Sequence, residues 1–415
     1  MFSAFRNAFR IPDLRKRLIF SLGIIIVYRL GSTIPTPGVD GHALSEFFRT
    51  ASGTLFGLID LFSGGALKQM SVFALGIMPY ISASIILQLL TAVVPALEKL
   101  AKEGEMGRRK INQYTRYSTV LLSIIQSLGI SVWLGDPANF GGTIIVPNPG
   151  WSFRLMTVIT LTAGTVFIMW LGEQITEKGI GNGISLIIMA SIISRLPSAI
   201  AQVITLVMNG TLKVFTLIFL VAMGIGVTAG IVLLTQAQRK IPVQYAKRII
   251  GRRVYGGQSS YIPLRVNQAG VIPIIFAQSI ILFPATLARF LHFGFMQTLA
   301  DYLSPGAWLH ELLYVIMIVF FSYFYTAIIF NPVEIADNMK KYGGFIPGIR
   351  PGKPTAEFFD FIMTRITLPG ALALAFIAIL PDVVNSSLRL PYLVASFFGG
   401  TVLIIIVGVA LDTVK

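Results

Sequence analysis

Ten apolar stretches, separated by polar connections, divide this chain. They run Leu18–Ile34, Ser71–Val94, Ser118–Leu134, Leu155–Gly172, Gly183–Ile200, Val214–Leu234, Ala269–Ala288, Leu312–Phe330, Ile366–Leu380 and Leu393–Leu411. A bilayer core of about 30 Å requires roughly 20 apolar helical residues. Because a helix satisfies its own backbone polar groups, it is the structure expected inside lipid. The pattern therefore predicts an all-α membrane protein with ten transmembrane helices.

Basic residues fall mainly on alternate connections between these stretches. Of the 33 Lys and Arg residues, 25 lie at the N-terminus, after stretches two, four, six and eight, or at Lys415. Cytoplasmic loops carry an excess of Lys and Arg. We therefore expect both termini in the cytoplasm. The remaining eight basic residues, which include Arg29, Lys68 and Arg195, are predicted on the opposite face.

The composition excludes several classes of protein. With 54% hydrophobic residues, 12% charged residues and a mean hydropathy of +0.77, the chain is not an ordinary water-soluble domain. The net charge of +15 is explained by the cytoplasmic loops and requires no nucleic acid partner. There are no cysteines, no Walker A motif and no H-E-x-x-H motif, so we predict neither an enzyme nor a cofactor site. The three histidines, His42, His292 and His310, are expected in solvated loops.

No Asp or Glu occurs within any of the ten stretches. Proton- and cation-coupled carriers commonly place carboxylates at membrane depth. A secondary carrier of small solutes is therefore the less favoured alternative. At mid-depth the stretches instead contain isoleucines. These are Ile77, Ile81, Ile184, Ile188, Ile275 and Ile405. Isoleucines at such positions usually pack or face lipid, but a ring of them around a pore would exclude ions by dewetting.

An internal repeat relates the two halves of the chain. Gly76–Ala83 matches Gly270–Ala277 at Gly, Pro, Ile and Ala after a shift of 194 positions. Five stretches separate the copies, so the halves, residues 1–200 and 201–415, are expected in opposite orientations. A chance match between two isoleucine-rich helices is the alternative. The shared Gly-x-x-Pro pattern is also expected to weaken both helices near mid-membrane.

One apolar segment is too short to cross a bilayer. It runs Leu55–Phe62 and is ended by Ser63, Gly64 and Gly65. It is either a helix folded into a protein-lined cavity or an interfacial helix on the outer leaflet. Two connections on the cytoplasmic side, residues 238–266 and 331–365, are longer than simple linkage requires and are expected to be functional.

Five motifs give the chain a specific resemblance. They are Phe73–Gln88, Gly104–Arg109, Gly179–Ser185, Gly251–Tyr255 and Phe345–Gly352. Together they resemble the SecY family, the main subunits of the bacterial Sec protein-conducting channel. The resemblance implies two five-helix halves around a central hourglass pore in the bacterial inner membrane. Such a channel moves unfolded secretory proteins across the membrane and releases hydrophobic segments sideways into lipid.

The resemblance also implies roles for particular residues. The six isoleucines correspond to the pore ring, and residues 55–69 correspond to a plug. The plug residues are Phe56, Ile59, Asp60, Phe62, Gly64 and Gly65. A lateral gate lies between stretches two and seven, where Ser82 and Ile85 are expected to oppose Ser279 and Phe283. Docking of a motor or ribosome is assigned to Arg252, Arg253 and Arg350.

The implied partners are the SecE and SecG subunits, the SecA motor, the ribosome, secretory precursors with their signal peptides, and membrane lipids. Pairing of two channels is left open. No cofactor is implied. The family usually continues past stretch ten into a basic tail, whereas this sequence stops at Lys415, which suggests a truncated chain.

Overall fold

A computed structural model describes residues 11–50, 55–245, 248–250, 253–255, 259–290, 298, 302–304, 306–388, 392–398 and 400–414. Within those ranges, six helices are long and apolar enough to span a membrane, or seven if one sharply bent pair counts as a single span. Two shorter apolar helices, Ile272–Thr286 and Gly400–Thr413, fall on predicted stretches seven and ten. The structure is therefore that of a helical, multi-pass membrane protein.

Nine helices of the described residues precede position 210. They are α1 (Pro12–Gly31), α2 (Gly41–Thr50), α3 (Leu55–Phe62), α4 (Met78–Val93), α5 (Pro95–Lys102), α6 (Glu105–Gly135), α7 (Trp151–Lys178), α8 (Gly183–Ile193) and α9 (Leu196–Met208). A 3₁₀ turn, Pro137–Phe140, follows α6. Helix α6 begins at Glu105 and α7 ends at Lys178, so both extend well beyond the predicted apolar stretches.

The later part of the chain contains both helices and strands. The helices are α10 (Val214–Gln236), α11 (Ile272–Phe290), α12 (Trp308–Ile329), α13 (Pro332–Lys341), α14 (Lys353–Leu388), α15 (Tyr392–Phe398) and α16 (Gly400–Val414). The strands are β1 (Gln238–Tyr245), β2 (Arg248–Ile250), β3 (Arg253–Tyr255), β4 (Ser259–Arg265) and β5 (Gly344–Phe345). Hydropathy did not predict these strands, because they lie in connections rather than in apolar stretches.

Three predicted stretches are interrupted. The second, Ser71–Val94, is helical only from Met78, and Pro95 starts a new helix bent by 98° from α4. The fifth breaks between α8 and α9, and in the tenth Gly400, the first residue of α16, has a left-handed φ angle of 70°. In each case the hydropathy pattern locates apolar residues correctly but does not show where the backbone leaves helical geometry. Proline at a first helical position explains the break before Pro95.

The repeated motif adopts the same backbone in both copies. Gly76 and Gly270 have left-handed φ angles of 56° and 64°, and helices α4 and α11 begin two residues later. Pro79 and Pro273 are the second residues of these helices, where the missing N–H would have had no partner within the helix. The prediction that these prolines weaken the helices was therefore wrong. They mark where each helix begins.

The two long loops join in one antiparallel sheet. Strand β1 pairs with β4 from Gln238↔Arg265 onward and with β5 at Gln244↔Phe345. Ile241, Val243 and Leu264 are buried in a cluster with residues of α13 and α14. The sheet also lies close to α14, since a Cβ built on Gly370 would be 2.9 Å from the carbonyl oxygen of Val266. The loop surfaces are thus held together and held against a membrane helix.

The histidine prediction is wrong at one position. His42 is exposed, as expected, and His292 lies outside the described residues. His310, however, lies in the first turn of α12 and is only 2% exposed.

Close packing of α7 against the irregular segment 71–77 yields a test of the fold. A Cβ built on Gly164 would lie 2.0 Å from the carbonyl oxygen of Val72, and backbone cannot move aside cheaply. We expect Gly164→Ala to destabilise the protein by about 1–3 kcal/mol, the usual cost of overpacking. The measurement is the thermal unfolding midpoint of the purified protein in detergent.

The control for this substitution is Gly230→Ala in α10. A Cβ built at Gly230 has nothing within 4 Å, so alanine is expected to be neutral or slightly stabilising. Equal midpoints for the two variants would contradict the packing described for α7.

Candidate functional site

The six predicted ring isoleucines all contribute to one large hydrophobic cluster, called the central cluster here. Five of them, Ile77, Ile81, Ile188, Ile275 and Ile405, are buried in one hydrophobic cluster. Ile184 is partly buried and packs against the same cluster. These side chains come from α8, α11, α16 and the start of α4, so the cluster joins elements from both halves of the chain. Because aliphatic side chains offer no hydrogen-bonding groups, these six positions contribute only apolar surface to the cluster.

Two of these isoleucines occupy equivalent positions in the internal repeat. Ile81 and Ile275 both lie in the first turn of their helices and are 4% and 6% exposed. A third helix, α8, is fixed by a polar cap at its N-terminus. The side chain of Asn182 accepts hydrogen bonds from the backbone N–H groups of Ile184 and Ser185. The motif Gly179–Ser185 therefore acts as a helix-capping turn that presents isoleucines to the centre.

The short helix α3 and the turns after it fill the space next to these isoleucines. Residues 55–69 are called the plug segment here. Its Leu61, Phe62 and Ala66 belong to the central cluster, and Asp60 is 2% exposed. The segment is thus folded into a protein-lined space and is not an interfacial helix. The side chains of Phe56 and Ile59 lie outside the described residues.

A buried ion pair joins the plug segment to the start of α9. The Asp60 carboxylate pairs with the guanidinium of Arg195, which lies at the N-terminus of α9, and accepts a 2.8 Å hydrogen bond from the backbone N–H of Lys68. Burial raises the pKa of Asp60, and the charges of Arg195 and Lys68 act in the opposite direction. The carboxylate charge therefore depends on these partners.

Helix α1 supplies a second polar attachment. Arg29 Nη1 donates a hydrogen bond of 3.0 Å to the carbonyl oxygen of Gly64. The Tyr28 hydroxyl lies 2.6 Å from Ser191 Oγ and donates to the carbonyl oxygen of Ser63 at 3.4 Å. The irregular backbone after α3 thus has its polar groups satisfied by protein, as required away from water.

Two glycines allow this close approach. Gly64 and Gly65 have φ angles of 69° and 90°, in the left-handed region that favours glycine. A Cβ built on Gly64 would lie 3.1 Å from Ser191 Cα, and one on Gly65 would lie 3.0 Å from Arg195 Nη1. Both positions therefore favour glycine by conformation, and Gly64 is also limited by space because its nearest neighbours are backbone atoms.

A seam with a small cavity lies between α4, α6 and α11. Ser82, Ser279 and Phe283 line this cavity of about 40 Å³, together with Gln126 of α6. Ile85 does not line the cavity and is buried in the central cluster instead. The structure thus brings three of the four predicted gate residues to one space, between the two helices that carry the internal repeat.

The predicted docking arginines are only partly described. Arg350 is exposed, and its carbonyl oxygen accepts a 2.8 Å hydrogen bond from Thr355 Oγ1. Arg253 belongs to β3, although its side chain lies outside the described residues, as does all of Arg252. Because β5 pairs with β1, the loop of Arg350 is joined to the loop of Arg253.

Sequence reasoning missed the partners of the plug segment. Tyr28, Ser191 and Arg195 were not among the predicted site residues. One signal was available: Asp60 is a charged residue within an apolar segment, and a buried charge requires a partner. The few basic residues on the less basic face were the natural candidates.

Solved structures share this fold. A structure described as a protein conducting channel aligns with a TM-score of 0.65 and 16% identity, covering 96% of this chain and 91% of that chain. Sec61 in a canine ribosome–channel complex from the endoplasmic reticulum aligns with a TM-score of 0.61 and 15% identity, covering 96% and 91%. The helical arrangement is thus the fold of the SecY and Sec61 channels.

Sequence comparison is more specific. A sequence model of SecY matches residues 71–414. The protein translocase subunit SecY of Aquifex aeolicus (strain VF5) is 48% identical over 408 residues, which cover 98% of this chain and 94% of the relative. That of Escherichia coli (strain K12) is 51% identical over 404 residues, covering 96% and 90%. The chain belongs to the SecY family, as its motifs predicted.

The ion pair of Asp60 and Arg195 predicts how firmly the plug segment is held. Ala66 is fully buried, so a single cysteine there reports whether the segment has loosened. We expect Arg195→Gln to raise the labelling rate of Ala66→Cys by a membrane-impermeant maleimide roughly tenfold or more, because removing one partner of a buried pair is strongly destabilising. Asp60→Asn should have a similar effect, and the double variant should be no worse than either.

Arg154→Gln is the matched control for this pair. Arg154 is a partly exposed arginine on the same predicted face and lies over the Trp151 ring at 5.3 Å. Among the described residues, no hydrogen bond or ion pair joins it to the plug segment, so labelling at position 66 should not change. A pair of additive single effects at Asp60 and Arg195 would show that the two groups do not act together.

Proposed function

We propose that this chain forms the channel of a protein translocase, through which unfolded secretory proteins cross the bacterial inner membrane. The observation that carries this proposal is a single hydrophobic cluster that contains five of the six isoleucines together with Leu61, Phe62 and Ala66 of the plug segment, with Ile184 packed against it. An apolar constriction can stretch around a passing chain without offering binding groups for ions. In the absence of a substrate, the plug segment covers the constriction and limits leakage.

A second part of the proposal concerns membrane-protein substrates. The seam of α4, α6 and α11 is lined by serine, glutamine and apolar side chains and contains a cavity. Separation of α4 from α11 would open the centre of the channel toward lipid, and hydrophobic segments would leave sideways. The halves 1–200 and 201–415 would then act as the two sides of a clamshell, with both termini in the cytoplasm.

The energy for transport would come from partners. The SecA motor and the ribosome are the proposed docking partners of the joined loops, with Arg252, Arg253 and Arg350 on the contact surface. SecE and SecG are the proposed companion subunits, and pairing of channels remains open. The exposure of Arg350 and the ribosome complex of the canine relative support this assignment. We propose no catalytic activity for the chain itself.

The alternative of a solute carrier has no support among the relatives. The curated proteins named above are translocase subunits, and the solved chains that share the fold are protein channels. Uptake of an unfolded secretory precursor by reconstituted vesicles, compared with uptake of small solutes, tests the proposal directly.

The first prediction from this proposal concerns the isoleucine ring. Replacing Ile81 and Ile275 together by serine places two hydroxyl groups on the apolar constriction. We expect the resting ion conductance in planar bilayers to rise severalfold, because water and ions cross a polar constriction more easily. We also expect weaker signal peptides to be accepted.

Serine on the lipid-facing surface is the control for this change. Ile159 and Ile225 are 67% and 66% exposed, so the pair Ile159→Ser and Ile225→Ser adds the same chemistry away from the centre. Its conductance should equal that of the unmodified channel. If the central pair also leaves conductance unchanged, the isoleucines do not form the barrier.

The second prediction concerns the seam. The chain has no cysteine, so Ser82→Cys and Ser279→Cys introduce a unique pair across one cavity. A disulfide requires Cα atoms within about 7 Å, so its formation reports proximity. We expect oxidation to block translocation of a secretory precursor and reduction to restore it.

Each single cysteine variant, treated with the same oxidant, is the control for damage by oxidation. Both should translocate normally. Efficient cross-linking with undiminished transport would mean that α4 and α11 need not separate.

A further inference from the structure

A basic cavity lies between the end of α1, the plug segment and the start of α9. Its volume is about 180 Å³, many times the space that one water molecule requires. Each of the three elements contributes one positively charged lining residue, and these are Arg29, Lys68 and Arg195. All three belong to the minority of basic residues on the predicted outer face. This space is called the basic cavity here.

Positive charges outnumber negative ones at the basic cavity. Among the described residues that line it, none is an aspartate or a glutamate. Asp60 does not line the cavity, but it pairs with Arg195, and the charge of Lys68 also acts on it. Within the described part of the chain, neither Arg29 nor Lys68 forms an ion pair of its own. One carboxylate against three cations leaves an excess of two positive charges, which favours an anion.

One hydrogen-bond donor at the cavity lacks an acceptor. Arg195 Nε is buried and has no partner among the described residues, although Nη2 of the same guanidinium pairs with Asp60. Because arginine can only donate hydrogen bonds, the missing partner must be an acceptor. A buried charged donor is costly to leave unpaired, so water or an anion is expected beside it. The excess of positive charge favours the anion.

Helix α9 adds the positive end of its dipole to the same space. The helix begins at Leu196, between the lining residues Arg195 and Ser198, and no side chain caps its N-terminus. The first N–H groups of a helix have no acceptor within the helix, and the dipole there favours negative charge. An anion in the basic cavity would therefore also be stabilised by backbone groups.

The plug segment meets this cavity with bare backbone. Gly64 and Gly65 line it, and a Cβ built on Gly65 would lie 3.0 Å from Arg195 Nη1. Arg29 Nη1 lies on the other side of the same turn and donates to the carbonyl oxygen of Gly64 at 3.0 Å. An anion bound by these cations would thus touch the plug segment and both helices that hold it.

Exposed apolar side chains continue from the cavity along both helices. Leu30 of α1 and Ile34 just after it are 62% and 54% exposed, and Ile200 of α9 is 50% exposed. Such side chains are expected to face lipid in a membrane protein. Basic pockets between membrane helices bind the head groups of anionic lipids. A phospholipid can therefore place its phosphate in the cavity and its acyl chains along these side chains.

We propose that the basic cavity binds a phosphate group, carried by a phospholipid head group or present as the free anion. Guanidinium groups match the oxygens of phosphate bidentately, and a lysine ammonium adds a compact charge. The bound group neutralises the excess charge and links Lys68 of the plug segment to Arg29 and Arg195. The inference goes beyond the proposed function, because binding can be measured without any transport.

The first test measures binding to the complete purified channel in an uncharged detergent. Inorganic phosphate is tested by equilibrium dialysis, and phosphatidylglycerol and phosphatidylcholine are tested by native mass spectrometry. We expect the double variant Arg29→Gln and Lys68→Gln to bind the phosphate group roughly tenfold more weakly or worse, because charge-assisted hydrogen bonds are strong. Lys68→Gln alone should show part of this loss. Its Nζ has no hydrogen-bond partner among the described residues, so this variant should leave folding intact.

The arms of this test identify the source of the phosphate. Phosphatidylglycerol bound in preference to phosphatidylcholine, without binding of inorganic phosphate, identifies a lipid head group. Binding of inorganic phosphate identifies the free anion. The control is the pair Arg154→Gln and Lys213→Gln, which removes two charges from the same predicted face away from the cavity and should not change binding. An equal loss in both double variants, or no binding of any probe, would overturn the proposal.

The second test asks whether the bound group holds the plug segment. Ala66→Cys is labelled with a membrane-impermeant maleimide in vesicles of phosphatidylcholine, with and without the phosphate source found in the first test. The rate is divided by that of Asn148→Cys, an exposed position on the same predicted face, so that effects of surface charge cancel. We expect severalfold slower labelling when the phosphate group is bound, because a ligand of the closed form stabilises it. The double variant Arg29→Gln and Lys68→Gln should lose this difference. An equal rate with and without the bound group in the unmodified cavity would show that the site does not hold the plug segment.

Discussion

Non-helical backbone at membrane depth must have every polar group satisfied by protein, and this constraint shapes the centre of the molecule. Between α3 and α4 the chain runs through turns. Two backbone hydrogen bonds join these turns to segment 32–36. The N–H of Thr36 donates to the carbonyl oxygen of Met70 at 2.8 Å, and the N–H of Val72 donates to that of Ile34 at 2.9 Å. Arg29 donates a hydrogen bond to the carbonyl oxygen of Gly64, and Tyr28 donates one to that of Ser63. The turns can therefore pack beside the central cluster without leaving these polar groups unpaired.

The plug segment is held by two kinds of contact. On the side of α1 and α9, Asp60 pairs with Arg195, and the carbonyl oxygen of Gly64 accepts a hydrogen bond from Arg29. This attachment is directional and depends on a few atoms. Toward the centre and the later helices, Leu61 and Phe62 make apolar contacts, which tolerate sliding. The directional part of this attachment therefore depends on a few polar contacts.

Much of the fold follows from the sequence, for reasons that particular residues illustrate. Long apolar stretches and the asymmetry of Lys and Arg predict a multi-pass helical protein, and the repeat containing Gly76 and Gly270 marks equivalent helix starts. The convergence of the isoleucines followed from the family motifs, since spacing alone does not bring Ile77 and Ile405 together. What could not be predicted depends on contacts between distant residues. The pairing of Asp60 with Arg195, the burial of His310 and the pairing of β1 with β5 are all of this kind.

The joined loops have a mechanical consequence. One residue separates α10 from β1, and β4 is followed within a few residues by α11, while β5 lies in the loop that enters α14. The close approach of Val266 to Gly370 presses this sheet against α14. A partner bound to either loop would therefore be connected to the ends of three membrane helices, α10, α11 and α14. A tilt of the sheet in water would then displace these helices inside the lipid.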